Sequence, residues 1–191
     1  MVTTVGIVGV QGDVPEHAAA MADAISGDVA VEAVRTAGIV PDCDVIAIPG
    51  GESTTISRII RETGIDQEII DHAEADKPIL ATCAGLIICA GTVTDDRITS
   101  LDLLDVTIER NAYGRQRESF EASIAVDGLD EPYPGIFIRA PRIDNAGTTD
   151  VLARLDDTPV AVRQGSVVGA SFHPELTGDY RFHQLVLAGD Q

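Results

Sequence analysis

The chain is 191 residues long, 45% hydrophobic and 4% aromatic, with no tryptophan, so Val, Ile, Leu and Ala must build its core. This length suits one domain over residues 1–191. Thirteen basic residues against 31 acidic ones give a net charge of −18 at pH 7, and Lys77 is the sole lysine; so acidic a surface repels nucleic acid and anionic membranes and fits a high-salt cytoplasm, where charge is screened within about 3 Å at 1 M salt.

Thr3 to Val10 is an apolar run that reads as a strand buried on both faces. An Ala-rich stretch of helical period follows, with Pro15 near its first turn. Val29 to Val34 reads as the next strand, and Cys43 to Gly51 as another that closes in a Pro-Gly-Gly turn. The helix after it has Ser53 as its expected N-cap and Gly64 as its stop. Asp66 to Ala75 reads as a second helix, "KPILATC" as a strand and "AGLIICAG" as a helix. Strands alternating with helices argue for an α/β fold, a mostly parallel sheet flanked by helices. Beyond residue 90, "DVTIERN", "ESFEASIAV", "GIFIRAP", "TPVAVRQG" and "SVVGASF" read as short antiparallel strands added to that sheet as a flap or edge, and "DYRFHQLVLAG" as a closing helix. No secretory leader opens the sequence and no run reaches the roughly 18 apolar residues of a membrane span, so a cytoplasmic location is expected.

In a parallel sheet, ligands bind beyond the carboxyl ends of the strands. Three turns should meet there: Gln11-Gly12, "PGGEST", and the turn holding Cys83. Cys83 has two readings, a small core filler or a nucleophile. Its neighbours Ala81, Thr82, Ala84 and Gly85 are small enough for a sharp strand-to-helix turn, and a helix N-terminus favours the thiolate. The N–H of Ala84 and that of Gly51 are then candidate oxyanion donors. Cys43 and Cys89 read as packing residues, and three cysteines without a CxxC pair argue against both a disulfide framework and a structural zinc site.

A nucleophilic cysteine needs a base. His17, His72 and His183 fall in helical segments, where a partly exposed surface residue is the expected role. His173 instead ends a strand-like run and precedes Pro174, which favours an extended backbone. An extended "HPE" projects His173 and Glu175 to one side, so Glu175 could hold one ring nitrogen while the other faces Cys83; a turn with a chance histidine is the alternative. Arg110, Arg115, Arg117, Arg139 and Arg142 cluster in sequence, as salt-bridge partners of the surplus acids or as a clamp for an anionic group.

The segments "GVQGDVPEH", "IPGGESTTISRII", "TCAGLI", "ERNAYGRQRESFEA", "GIFIRAP" and "SFHPELTGDYRFHQL" carry a resemblance that spans nearly the whole chain. The sequence resembles the class I (triad) glutamine amidotransferases, and more narrowly the glutaminase subunits of pyridoxal 5′-phosphate synthases. "TCAGLI" and "SFHPE" are common to many triad amidotransferases, whereas "PGGEST" and "ERNAYGRQ" are specific to the vitamin B6 branch. The resemblance implies a flavodoxin-like three-layer fold. It implies Cys83 as nucleophile, His173 as base and acid, Glu175 as orienter, and glutamine contacts from Gly51, Glu52, Ser53, Arg110, Ile138 and Arg139. It places Gln11 at the interface with a synthase subunit in a large hetero-oligomer, which would receive the ammonia. No metal or organic cofactor is implied for this half-reaction. Ala81 departs from the glycine common at that position, and Ile25 to Asp44 follows the family loosely. Rival readings are an amidotransferase of another pathway, a silent scaffold subunit, and a stress-type cysteine hydrolase.

Overall fold

A computed structural model of the chain describes residues 2–110 and 119–188. Arg115 and Arg117, with most of "ERNAYGRQ", lie outside the described residues. The chain runs β1 (Thr3–Val8), α1 (Val14–Ala24), β2 (Val29–Val34), β3 (Val45–Ile48), α2 (Ser53–Thr63), α3 (Ile65–Glu74), β4 (Ile79–Thr82) and α4 (Ala84–Cys89). It continues through β5 (Ala90–Val93), β6 (Leu104–Glu109), β7 (Phe120–Ile124), β8 (Tyr133–Phe137), β9 (Arg142–Asn145), β10 (Asp150–Leu155), β11 (Thr158–Gln164), β12 (Val167–Ala170) and α5 (Arg181–Ala188).

The main sheet has seven strands in the order β10-β11-β12-β4-β3-β1-β2. Its centre is parallel, and β11 is the one reversed strand of the seven, antiparallel to both β10 and β12. The central strands are apolar on both sides because both faces are covered. Ile46, Ile48, Ile79 and Ala81 face the core that holds Ile56 and Ile60 of α2, Ile65 and Ile69 of α3, and Leu86 of α4. Val45, Ala47 and Leu80 face the opposite core with Met21 of α1, Phe182 and Val186 of α5, and Tyr133 and Phe137 of β8. Aromatics are scarce but concentrated: Tyr133, Phe137, Phe172 and Phe182 form a chain of ring contacts with centroids 5.1–5.9 Å apart.

The later strands differ from the sequence-based expectation. β12 is not an antiparallel addition; it pairs in parallel with β4, Val167 to Ala170 against Ile79 to Thr82, in the middle of the sheet. All four of its residues are buried, as burial on two faces requires. β5, β6 and β9 make a separate three-stranded sheet, and β7 with β8 a two-stranded ribbon. Local pattern missed β5, β9 and β10. The helix after Cys83 ends at Cys89, where Ala90 turns extended into β5. Ser53 is the first helical residue of α2 and Glu52 occupies the cap position. Gly64 ends that helix in the left-handed region (φ 77°), as its lack of Cβ allows.

Candidate active site

Because β1, β3, β4 and β12 are parallel, their carboxyl ends share one rim. The chain leaves these ends into the Gln11–Asp13 turn, the Pro49–Glu52 turn, Cys83 and His173 respectively. The turns enclose a cavity of about 360 Å³. Cys83, Ala84, His173 and Gln11 line it, and so do Gly51, Glu52, Ser53, Arg110, Ile138 and Arg139. Of the residues expected at the site, Glu175 alone is not on the wall; it stands behind His173.

Cys83 joins β4 to α4. Its N–H continues the sheet, donating to the Ala170 carbonyl at 2.8 Å, and its backbone then turns to φ 49°, ψ −101°. That conformation is strained for a residue with a side chain, at a cost on the order of 1–3 kcal/mol, and it turns the sulfur into the cavity. The small neighbours are required by packing. A Cβ added at Gly85 would lie 2.1 Å from the Ile48 carbonyl oxygen, so α4 can start this close to β3 only through a glycine. Cys83 is 9% exposed, whereas Cys43 and Cys89 are sealed in the core. Burial pushes the Cys89 thiol up to about 12 and raises that of Cys43, which keeps both protonated.

The "HPE" segment is not extended. Pro174–Leu176 forms a short 3₁₀ turn, since the N–H groups of Leu176 and Thr177 fold back toward the carbonyls of His173 and Pro174. The turn still brings the two side chains together: His173 Nδ1 lies 2.6 Å from Glu175 Oε1. The His173 N–H donates to the Ile136 carbonyl at 2.8 Å, which ties the site to the β7–β8 ribbon. Burial acts to lower the His173 pKa, but hydrogen bonding to Cys83 and Glu175 outweighs it and raises the imidazole to about 10. Burial would raise Glu175, yet the contacts with His173 and His17 leave it below its ordinary value. Gly50 packs against the ring, where an added Cβ would come within 2.7 Å of His173 Cε1.

The other three histidines are buried rather than partly exposed. Each sits on the inward face of its helix. His17 shares that face of α1 with Ala20, Met21 and Ala24. Its Nε2 lies 2.9 Å from Thr82 Oγ1 and 3.4 Å from Glu175 Oε2. His183 of α5 faces it, with ring centroids 6.5 Å apart. Burial lowers the pKa of His17 and pushes that of His183 down to about 4. His173 therefore holds the proton among the three histidines around Glu175. The signal for His17 was present in the 3.6-residue spacing of α1's buried face; what it touches was not.

The arginine cluster divides. Arg110 and Arg139 line the cavity. Arg110 bridges Asp95 (Nη1–Oδ2 2.5 Å) and Glu52 (Nη2–Oε1 2.9 Å), so the cavity wall carries a fixed guanidinium. Hydrogen bonds from Arg97 hold Asp95 well below the usual carboxylate range, with Arg110 adding to the effect. Arg142, on β9, pairs with Glu109 and Asp144 and lies outside the cavity wall. Ser53 is buried on that wall, and its hydroxyl has no hydrogen-bond partner among the described residues. Gln11 is exposed and accepts the Glu52 N–H at 2.7 Å through its side-chain oxygen.

The model of the SNO glutamine amidotransferase family matches residues 7–189. The chain belongs to this family. Among SNO relatives, the pyridoxal 5′-phosphate synthase subunit PdxT of Natronomonas pharaonis is 58% identical over 184 residues, covering 94% of this chain and 96% of that one. The protein of the same name from Halobacterium salinarum is 57% identical over 189 residues, 97% of this chain and 93% of that one. That from Methanothrix thermoacetophila is 52% identical over 184 residues, 96% and 97% of the two chains. A solved glutamine amidotransferase superposes with a TM-score of 0.88 at 41% identity, covering 96% of this chain and 97% of that one. PurLQS of Thermotoga maritima, at 16% identity and a TM-score of 0.69, shares the fold alone. Several SNO relatives come from halophilic archaea, which agrees with the acidic composition.

Proposed function

We propose that this SNO-family chain is the glutaminase subunit of a pyridoxal 5′-phosphate synthase, and that Cys83, His173 and Glu175 hydrolyse L-glutamine to L-glutamate and ammonia for the synthase subunit. The observation that carries the catalytic assignment is the buried 2.6 Å contact between His173 and Glu175 on the rim that also holds Cys83.

The Cys83 sulfur, as thiolate paired with the His173 imidazolium, attacks the side-chain amide carbon of glutamine. The carbonyl oxygen becomes an oxyanion, held by the N–H groups of Ala84 and Gly51. Ala84 opens α4, where a first-turn N–H has no partner within its own helix. His173 gives its proton to the amide nitrogen, the C–N bond breaks, and ammonia leaves a glutamyl thioester on Cys83. Water then attacks the thioester, with neutral His173 taking its proton. Collapse expels the thiolate, releases glutamate and restores the ion pair. Glu175 keeps the imidazolium oriented and stabilised throughout.

Arg110 and Arg139 hold the substrate's α-carboxylate, while Glu52, Ser53 and the Ile138 backbone meet its remaining polar groups. Fixing the amide beside the sulfur in this way lowers the barrier by several kcal/mol. Gln11 faces the synthase subunit in a large hetero-oligomer, in the cytoplasm. Glutamate release by the chain alone and with the synthase subunit, at low and high salt, tests this reading. Strong stimulation by the synthase subunit at high salt is expected; equal turnover without it contradicts the subunit assignment.

A further inference from the structure

Behind the proposed triad lies a second buried polar contact that its chemistry leaves unused. Glu175 directs Oε1 at His173 and Oε2 at His17. The same His17 nitrogen is 2.9 Å from the hydroxyl of Thr82, the residue just before Cys83. His17, Thr82 and Glu175 are all buried, so bulk solvent does not compete for these contacts. A carboxylate oxygen only accepts hydrogen bonds. A hydrogen on His17 Nε2 points toward Thr82 Oγ1 at 2.9 Å with Glu175 Oε2 beside it at 3.4 Å, and this is the tautomer that suits a carboxylate neighbour. Oε2 makes no hydrogen bond to any of the described residues, and His17 Nε2, 3.4 Å away, is the polar group it faces.

We propose that His17 is a positioning residue for glutamine hydrolysis: its Nε2–H fixes the carboxylate plane of Glu175 and ties it to the strand end that presents Cys83. The inference rests on the triad reading above. Without this donor, the Glu175 carboxylate can rotate about its terminal torsion, which is broad. Rotation takes Oε1 from His173 Nδ1 and lets the ring that serves Cys83 tilt. The Thr82 contact runs from the same nitrogen, so the nucleophile's strand and the base's orienter share one anchor. That anchor is neutral, since burial disfavours the His17 cation, and it adds no second positive charge to compete with His173 for the carboxylate. His183 faces His17 from α5, Tyr180 lies 6.3 Å from His183, and Asp13 and Glu16 of the α1 segment exert weaker fields on His17.

The test compares His17→Gln, His17→Asn and His17→Leu in the complex with the synthase subunit, with Cys83→Ala as reference. Glutamine places its amide nitrogen where Nε2 of the imidazole was; asparagine places its own near Nδ1, away from Glu175. His17→Asn and His17→Leu should lose roughly 10- to 100-fold in kcat with little change in KM, and His17→Gln should recover most of that loss. Alkylation of Cys83 by iodoacetamide should slow in the same order. In a Glu175→Gln background the His17 substitutions should cost little more, because they act through that carboxylate. Full kcat in His17→Asn and His17→Leu would overturn the inference. So would equal losses in all three variants that simply add to that of Glu175→Gln. If His17→Leu fails to fold, the comparison of His17→Gln with His17→Asn decides. Activity surviving in Cys83→Ala would instead overturn the triad reading.

Discussion

Glu175 Oε1 stands 2.6 Å from His173 Nδ1, although a proline separates the two residues and the segment is a 3₁₀ turn rather than a strand. The contact is out of water, so it holds the ring in one orientation; against burial, which lowers the pKa, hydrogen bonding to Cys83 and then to Glu175 raises it well above its ordinary range. His173→Asn removes this group and should lower kcat by roughly three orders of magnitude or more. His183→Leu, two layers back, should keep activity within a few-fold. Glutamate release by the complex ranks the two; the opposite ranking would assign the base to the wrong histidine.

His183 should contribute to acid sensitivity instead. Its pKa is near 4 in the fold against 6.5 in the open chain, so the unfolded state binds the proton more readily. Its neutral state is accommodated fully above pH 6.5, and stability is lost as pH falls from there through 4, on the order of 3 kcal/mol in all. His17 and His72 shift in the same direction and add to the loss. His173 has the opposite sign: its contribution is complete below pH 6.5 and disappears as pH rises through about 10. Urea midpoints measured from pH 7 to pH 4 should fall less steeply in His183→Leu than in the parent chain.

Gly85 is a packing constraint with a catalytic consequence. In Gly85→Ala the new methyl would meet the Ile48 carbonyl at 2.1 Å, so α4 must move off β3. Overpacking of this kind costs about 1–3 kcal/mol. It also displaces Ala84 and Cys83. A lowered melting temperature together with a drop in kcat is the expected result, measured by calorimetry and glutamate release.

Arg110 already has two acidic partners before any substrate arrives. These partners fix its fork rather than consume it, because a guanidinium has five donors. Arg110→Ala should reduce kcat/KM for glutamine by roughly 10- to 100-fold, through KM more than kcat, the scale of a charged hydrogen bond. Arg110→Lys should recover part of the loss, since the bidentate geometry is not restored. Initial rates over a glutamine series separate the two parameters.

The parallel centre of the fold was legible because buried strands are unbroken apolar runs and each ends in a turn of small residues. "ILAT" followed by "CAGL" reads as a strand turning sharply into a helix between small residues, while the close approach of Gly85 to the Ile48 carbonyl emerges only in the fold. Legibility failed where pairing is non-local. Nothing in "SVVGASF" reveals that it lies beside β4 rather than at an edge, and β9 is four residues of mostly polar pattern. At the site, residue types and turns were readable, but networks were not. Asp95 and Thr82 carry no local mark; their importance comes from Arg110 and His17, which reach them across 15 and 65 residues of sequence. His17 looked like a surface residue because the Ala-rich helix hides how deeply its inner face is packed.

The central claim is that Cys83 attacks glutamine with His173 as its proton carrier. Acid quenching of the working complex, followed by mass spectrometry of its peptides, tests this most directly. A glutamyl adduct should appear on the peptide containing Cys83, be absent from Cys83→Ala, and decay as glutamate is released. Full glutamate release by Cys83→Ala, or an adduct on Cys43 or Cys89 instead, would contradict the account.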